Sequence, residues 1–193
     1  MERFWLAFIP LFVAFDVLGL LPVYWSLAQR LPSVQRRQAV QNAVFVAFFV
    51  AWAFLVIGKW LFLTLGIQMA DLMIAGGAIL FVLALNDLLR LEKTPYGSAE
   101  ALGVVPLGVP LIVGPAVLTT VLLVRERYGG WATMGALSCN LLLTWLILQT
   151  ADHLMGWLGR AGASVISKVS SLVLAAFAVM LMRQGLMTIF PAR

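Results

Sequence analysis

Val105-Pro106-Leu107-Gly108-Val109-Pro110-Leu111-Ile112-Val113-Gly114-Pro115 puts three prolines and two glycines into eleven consecutive residues of an otherwise apolar run. Each proline removes a backbone donor and clashes with the preceding turn. In hydrocarbon no water replaces the lost donor, so such a break survives only inside protein or beside a wet cavity. The run belongs to a hydrophobic segment, Gly103–Val124, and an earlier segment, Phe4–Ala28, carries Pro10, Gly19 and Pro22 at matching points. Paired interrupted spans in the two halves of a chain are the sequence mark of a transporter's central site.

The rest of the chain agrees with a membrane setting. Of its 193 residues, 63% are hydrophobic and only 11% charged, with mean hydropathy +1.01, whereas soluble domains carry about a quarter charged residues. We read residues 1–193 as a single transmembrane domain with no room for a separate soluble one. The net charge of +5 is spread over short loops, so no nucleic-acid partner is predicted. The single cysteine, Cys139, excludes an internal disulfide, a dithiol relay and a thiolate metal site. With His153 the only histidine, neither a metal nor another cofactor is predicted. The apolar N-terminal stretch is too long for a cleaved signal peptide. Trp5, Trp25, Trp60, Trp131 and Trp157, with Tyr24, Tyr96 and Tyr128, fall near segment ends and predict an aromatic belt at both interfaces. Trp52 and Trp145 lie mid-span and are expected to pack.

A span needs about 20 apolar residues, and six are read: 4–28, 38–61, 70–90, 103–124, 131–156 and 166–190. Ser33 is placed to cap the second. The halves repeat, with repeat one covering about 4–90 and repeat two about 103–190. At an offset of 98, Asp16-Val17 falls on Gly114-Pro115, Asn42 on Asn140 and Gly58 on Gly156; spans three and six align better at 95. Three spans per repeat force the second half to enter from the opposite side. The predicted fold is therefore an all-α membrane protein of six transmembrane helices, two inverted-topology three-helix repeats with helices one and four broken. It is predicted to be multi-pass in the plasma (inner) membrane. Seven Lys and Arg on the side of loops one, three and five, against five on the other, tilt the orientation toward termini outside.

Polar groups at membrane depth are the candidate chemistry. Asp16 lies near the middle of span one, where a carboxylate costs at least about 2.5 kcal/mol unless it faces protein or water. It reads either as a proton or substrate-ammonium site, or as the cap of the second half-helix of that span. Thr119 and Thr120 follow Pro115. Their hydroxyls, with the amides of a half-helix N-terminus, suit a substrate carboxylate; the alternative is back-bonding to their own helix. Asn42 and Asn140 occupy equivalent positions, and an amide there can repair a proline break or contact a ligand, repair being the stronger expectation. Asp152-His153 reads as a solvated span end without a partner nucleophile. Ala39, Ala43, Ala47 and Ala51 form an i, i+4 stripe, and Gly76-Gly77 and Ala175-Ala176 are similarly small. Such faces allow close helix approach, within the subunit or in a homo-oligomer.

These features together resemble the MarC family, grouped with the LysE-type transporters. The resemblance covers nearly the whole chain. It rests on Gly19-Leu20-Leu21-Pro22, Ser33-Val34-Gln35-Arg36-Arg37, Ile74-Ala75-Gly76-Gly77 with Ala84-Leu85, and above all the run Val105–Pro115 with Thr119-Thr120. It implies six helices in an inverted three-plus-three arrangement and, by analogy with some relatives, transport of small neutral amino acids such as glycine and alanine. The chain departs from the family pattern at Asp16, Val17 and Leu20, where Asn, Pro and Asn are usual, at Ala116 for a Gly, and at Asn86 for an Asp. The ionisable group is thereby moved to Asp16.

The expectation is a secondary transporter of a small solute, coupled to protons, and no enzyme. Substrate and ion would be held by Asp16, Gly19, Pro22, Asn42, Gly114, Pro115, Ala116, Thr119, Thr120 and Asn140, in contact with membrane lipid. The rival expectation is a non-transporting membrane scaffold that binds partners through its small-residue faces.

Overall fold

The computed structural model describes residues 2–28, 32–89 and 112–190. Among the described residues seven helices follow one another: α1 (Glu2–Phe15), α2 (Val17–Ala28), α3 (Ser33–Thr64), α4 (Met69–Leu89), α5 (Pro115–Tyr128), α6 (Gly130–Gln149) and α7 (Ala151–Ile189). No strand occurs among the described residues. Among the described residues five segments are long and apolar enough to cross a membrane: Glu2–Leu21, Ser33–Thr64, Met69–Asn86, Gly130–Gln149 and Ala161–Ile189. The expected fourth span lies partly outside the described residues, which take in its second half as α5 but not Pro106, Gly108 or Pro110.

Several expectations shift in detail. The first span is broken at Asp16, whereas Pro10 lies inside α1 and Pro22 inside α2. Ser33 opens α3 instead of capping it; Pro32 holds the cap position and no side chain bonds there. The expected fifth span, 131–156, ends early, because the chain turns at Thr150 after α6. A short limb, 151–158, then runs to Gly159, whose φ of 64° breaks α7 before the last span begins. Gly66 has φ +71° in the equivalent connection between α3 and α4. There Asp71 accepts a hydrogen bond from the Gln68 N–H at 2.9 Å and so helps start α4. Glycine enters this left-handed region without steric cost.

Close packing follows the small residues. Ala43, Ala47 and Ala51 of α3 are buried, and α3 lies against α5 and α6. Adjacent glycines on α4 serve two different neighbours. A Cβ on Gly76 would collide with Thr119 of α5, and one on Gly77 would stand 2.7 Å from the Ala178 carbonyl oxygen of α7. Gly185 of α7 approaches the Ala70 carbonyl of α4 as closely. The small partner on α7 is thus Ala178, fully buried, while Ala176 of the expected pair is exposed.

Large apolar side chains cover the outside instead, among them Phe45, Phe49, Ile57, Val82, Leu142 and Leu172. Trp5, Trp60, Trp131 and Trp157 are exposed near helix ends, as a belt requires. Tyr24 leaves the expected belt: it is 6% exposed and lies within the fields of Arg36 and Asp152. Those two residues form an ion pair at 2.8 Å that ties the start of α3 to the short limb of α7.

Candidate functional site

The chain passes from α1 to α2 through Asp16 at φ +43°, a conformation that costs L-residues roughly 1–2 kcal/mol and that Asp and Asn tolerate best. Its backbone stays in register: the Asp16 N–H donates to the Phe12 carbonyl at 3.3 Å, and the Leu20 N–H donates to the Asp16 carbonyl at 2.9 Å. The carboxylate turns back on the new helix. Asp16 Oδ1 accepts the Gly19 N–H at 3.3 Å, the geometry of an N-cap. The same oxygen accepts the hydroxyl of Ser170 from α7. A Cβ on Gly19 would occupy the space of the carboxylate, so glycine at 19 is a condition of this cap. Asp16, Gly19 and Ser170 form one unit across the molecule.

At the equivalent place in the second half, Ile112 and Val113 are buried and Gly114 is extended, with φ −84° and ψ 178°. Pro115 opens α5, and no side chain caps it. Proline suits that position because its missing donor would have no intrahelical acceptor there. The Leu118 N–H donates to the Gly114 carbonyl at 3.1 Å. Ala116 is buried in a cluster with Leu80 and Ala84 of α4 and Leu174 and Ala178 of α7.

The threonines divide. Thr119 packs against Gly76. Thr120, 1% exposed, donates to the Ala116 carbonyl of its own helix at 2.8 Å. The asparagines divide as well. Asn140 is buried on α6, and its Nδ2 donates to the Ala136 carbonyl at 2.9 Å and to the Phe8 carbonyl of α1 at 3.3 Å. The carbonyl deprived of its usual donor by Pro10 is that of Leu6, four residues back, so Asn140 braces the turn beside the proline and leaves the orphaned oxygen to others. Asn42 sits half-buried on α3.

A cavity of about 400 Å³ opens between the two broken spans. Pro10 lines it from α1, Met69 and Met73 from α4, Thr120, Leu123 and Tyr128 among others from α5, and Phe177, Met180 and Leu181 from α7. Its mouth lies on the face that holds the N-terminus, where Arg127 donates to Gln184 at 3.5 Å; Thr120 lies two turns deeper. Most of the wall is apolar, with Glu126, Arg127 and Gln184 at the rim.

Of the residues expected from sequence, the structure therefore joins Asp16 to Gly19, places Thr120 on the cavity, and seats Ala116 and Thr119 in helix contacts. Neither Asp16 nor either asparagine lines the cavity. Ser170 was missed. The signal was available: at the offset of 95, Ser170-Ser171 falls on Ala75-Gly76, the small-residue face of span three.

Residues 1–190 match the family described as MarC family integral membrane protein. Among similar proteins, the membrane protein YvbG of Bacillus subtilis is 28% identical over 95% of this chain and 94% of its own. The inner membrane protein YhgN of Escherichia coli is 28% identical over 93% and 94%, and a membrane protein of Pyrococcus horikoshii is 25% identical over 96% and 94%. No solved structure matches the chain.

Proposed function

The chain belongs to the MarC family of integral membrane proteins, and on that premise we propose that it is a secondary transporter of a small solute. The observation that carries this reading is the cavity flanked by both broken spans, with Pro10 on one wall and Thr120 on the other. Irregular backbone at membrane depth is tolerated where it lines a cavity or is enclosed by protein, and Phe15 and Val17 beside the first break, with Ile112 and Val113 in the described part of the second, are buried.

Two inverted repeats account for the helix packing. The contact of α2 with α7 has its mate in α5 with α4, and that of α2 with α6 has its mate in α5 with α3. The contacts of α3 with α6 and of α4 with α7 join equivalent helices. Such a pattern is what a two-fold axis in the membrane plane requires. Rocking of one repeat against the other would then open the site to each side in turn.

The solute in this reading is a small neutral amino acid moved with a proton. Asp16 would take the proton or the ammonium, and the first amides of α5 the carboxylate. The protein works by moving its solute unchanged, in the lipid of the plasma membrane. The name of the YhgN relative supports that location, and the loop charges support termini on the outside.

Uptake of labelled glycine and alanine into proteoliposomes, with and without an imposed pH gradient, tests the proposal against Asp16→Asn. The expected result is saturable, gradient-driven uptake whose pH dependence is lost in the variant while the protein still inserts and folds. No uptake of either solute in either gradient direction, from folded and inserted protein, overturns the amino-acid reading. An unchanged pH profile in the variant removes Asp16 from coupling.

A further inference from the structure

A second cavity, of about 360 Å³, lies on the same face, where the end of α3, the start of α4 and the end of α5 meet. Its walls are apolar, with Phe62, Leu63, Leu72 and Leu122 among them, and its charged groups are Lys59, Arg125 and Glu126. We infer that this cavity binds an anionic phospholipid, its phosphate on Arg125 and Lys59 and one acyl chain along the outer surface of α3.

Three features support this. The first is a positioned guanidinium. Arg125 donates through Nη1 to the carbonyls of Leu55 and Val56, the latter at 3.3 Å. That anchor fixes the planar group while Nε and Nη2 remain to receive an anion, and a guanidinium matches two phosphate oxygens at once. The second is charge. Lys59 Nζ bonds both oxygens of Glu126, at 3.1 and 2.8 Å, so two cations face one carboxylate and the cavity keeps a net positive charge. A zwitterionic headgroup gains less from that field than an anionic one. The third is place. Trp60, 67% exposed, lies beside Lys59 at the level where aromatic side chains mark the interface. Leu61, Leu63 and Leu65 around the mouth are exposed apolar surface that an acyl chain covers and a soluble phosphate does not. The chain turns at Gly66, where a Cβ would meet nothing within 4 Å, so the corner is open. Basic pockets between helices bind anionic headgroups on the cytoplasmic or matrix side of membranes, and the same pairing of guanidinium and phosphate serves on this face.

The test uses the whole protein in phosphatidylcholine nanodiscs or mild detergent. Short-chain phosphatidylglycerol is titrated against phosphatidylcholine of the same chain length, and bound lipid is read by native mass spectrometry. The expected preference for phosphatidylglycerol is at least about ten-fold. Lys59→Gln should weaken it about five-fold, the effect of one cation near a membrane surface, and Arg125→Gln should abolish it. Millimolar glycerol phosphate should not displace the lipid. Because Arg125 also ties α5 to α3, Lys59→Gln decides the matter if Arg125→Gln does not fold. Equal binding of the two lipids, a preference unchanged in Lys59→Gln, or displacement by glycerol phosphate alone overturns the inference, the last assigning the site to a soluble phosphate.

Discussion

Asp16 and Gly114 stand at the same place in the two halves, and each precedes a helix that begins inside the protein. Asp16 supplies its own cap, bonding the Gly19 N–H and the Ser170 hydroxyl. Gly114 supplies none, and Pro115 follows it. A half-helix N-terminus carries a partial positive charge from its unpaired amides. The first half answers that charge with its own carboxylate, whereas among the described residues no side chain caps the second. The position after each break tells the same story. Gly19 has no room for a Cβ beside the carboxylate, while its equivalent in the second half is Val117, buried and fully tolerated. One backbone plan thus carries two electrostatic solutions, and the asymmetry lies where a charged or zwitterionic solute would sense it.

The largest effect that would break this comparison is expected from Gly19→Ala. Forcing a methyl group into the carboxylate should cost about 1–3 kcal/mol, as overpacking does, read as a lower midpoint in a detergent thermal melt. Most of that loss should return in the double variant Asp16→Ala, Gly19→Ala. A double variant no more stable than additivity allows would separate glycine from the cap. Asp16→Ala alone should cost about 0.5–2 kcal/mol, the range for a lost N-cap, and the same measurement checks it. Ser170→Ala should cost about 1 kcal/mol for its hydrogen bond. If coupling runs through this carboxyl, that variant should also shift the pH midpoint of uptake, which a purely structural serine would leave in place. The smallest effect sharpens the contrast from the other side. Gly114→Ser should add a few tenths of a kcal/mol by giving α5 the cap it lacks; a marked loss would mean that the site needs the space or the bare amides.

The sequence made the second break easy to place and the first one hard. Gly114-Pro115 is a helix start by residue type alone, an extended glycine followed by the residue best suited to the first helical turn. In the first span the prolines drew attention, yet both sit within helices. A proline inside a bundle can be held in helix by its neighbours, as Asn140 braces the turn next to Pro10. The actual break falls on the residue whose side chain can satisfy the new N-terminus, a property of Asp16 that the capping reading did contain. Thr120 shows the same limit. Its position after the proline was legible, but whether the hydroxyl faces a solute or the carbonyl one turn back depends on packing, and here it bonds Ala116. For Ser170 the repeat marks a small-residue face, but not its partner, which lies in the opposite half of the chain. Tyr24 illustrates the converse: an aromatic at a span end reads as belt, yet the ring is buried, within the fields of Arg36 and Asp152.

The Asp16–Ser170 bond also has a consequence for biosynthesis. The two residues are 154 apart in the chain. At about 5–20 residues per second, the ribosome needs roughly 8–30 s to supply the second after the first. For that interval the opening span sits in the translocation machinery or the bilayer with an internal carboxyl and without its distant partner. The Gly19 amide, three residues away, is available at once. The local cap therefore shelters the nascent first span until the last one arrives, and a variant that weakens it should show its defect first as failed insertion during translation, before any loss in the finished protein.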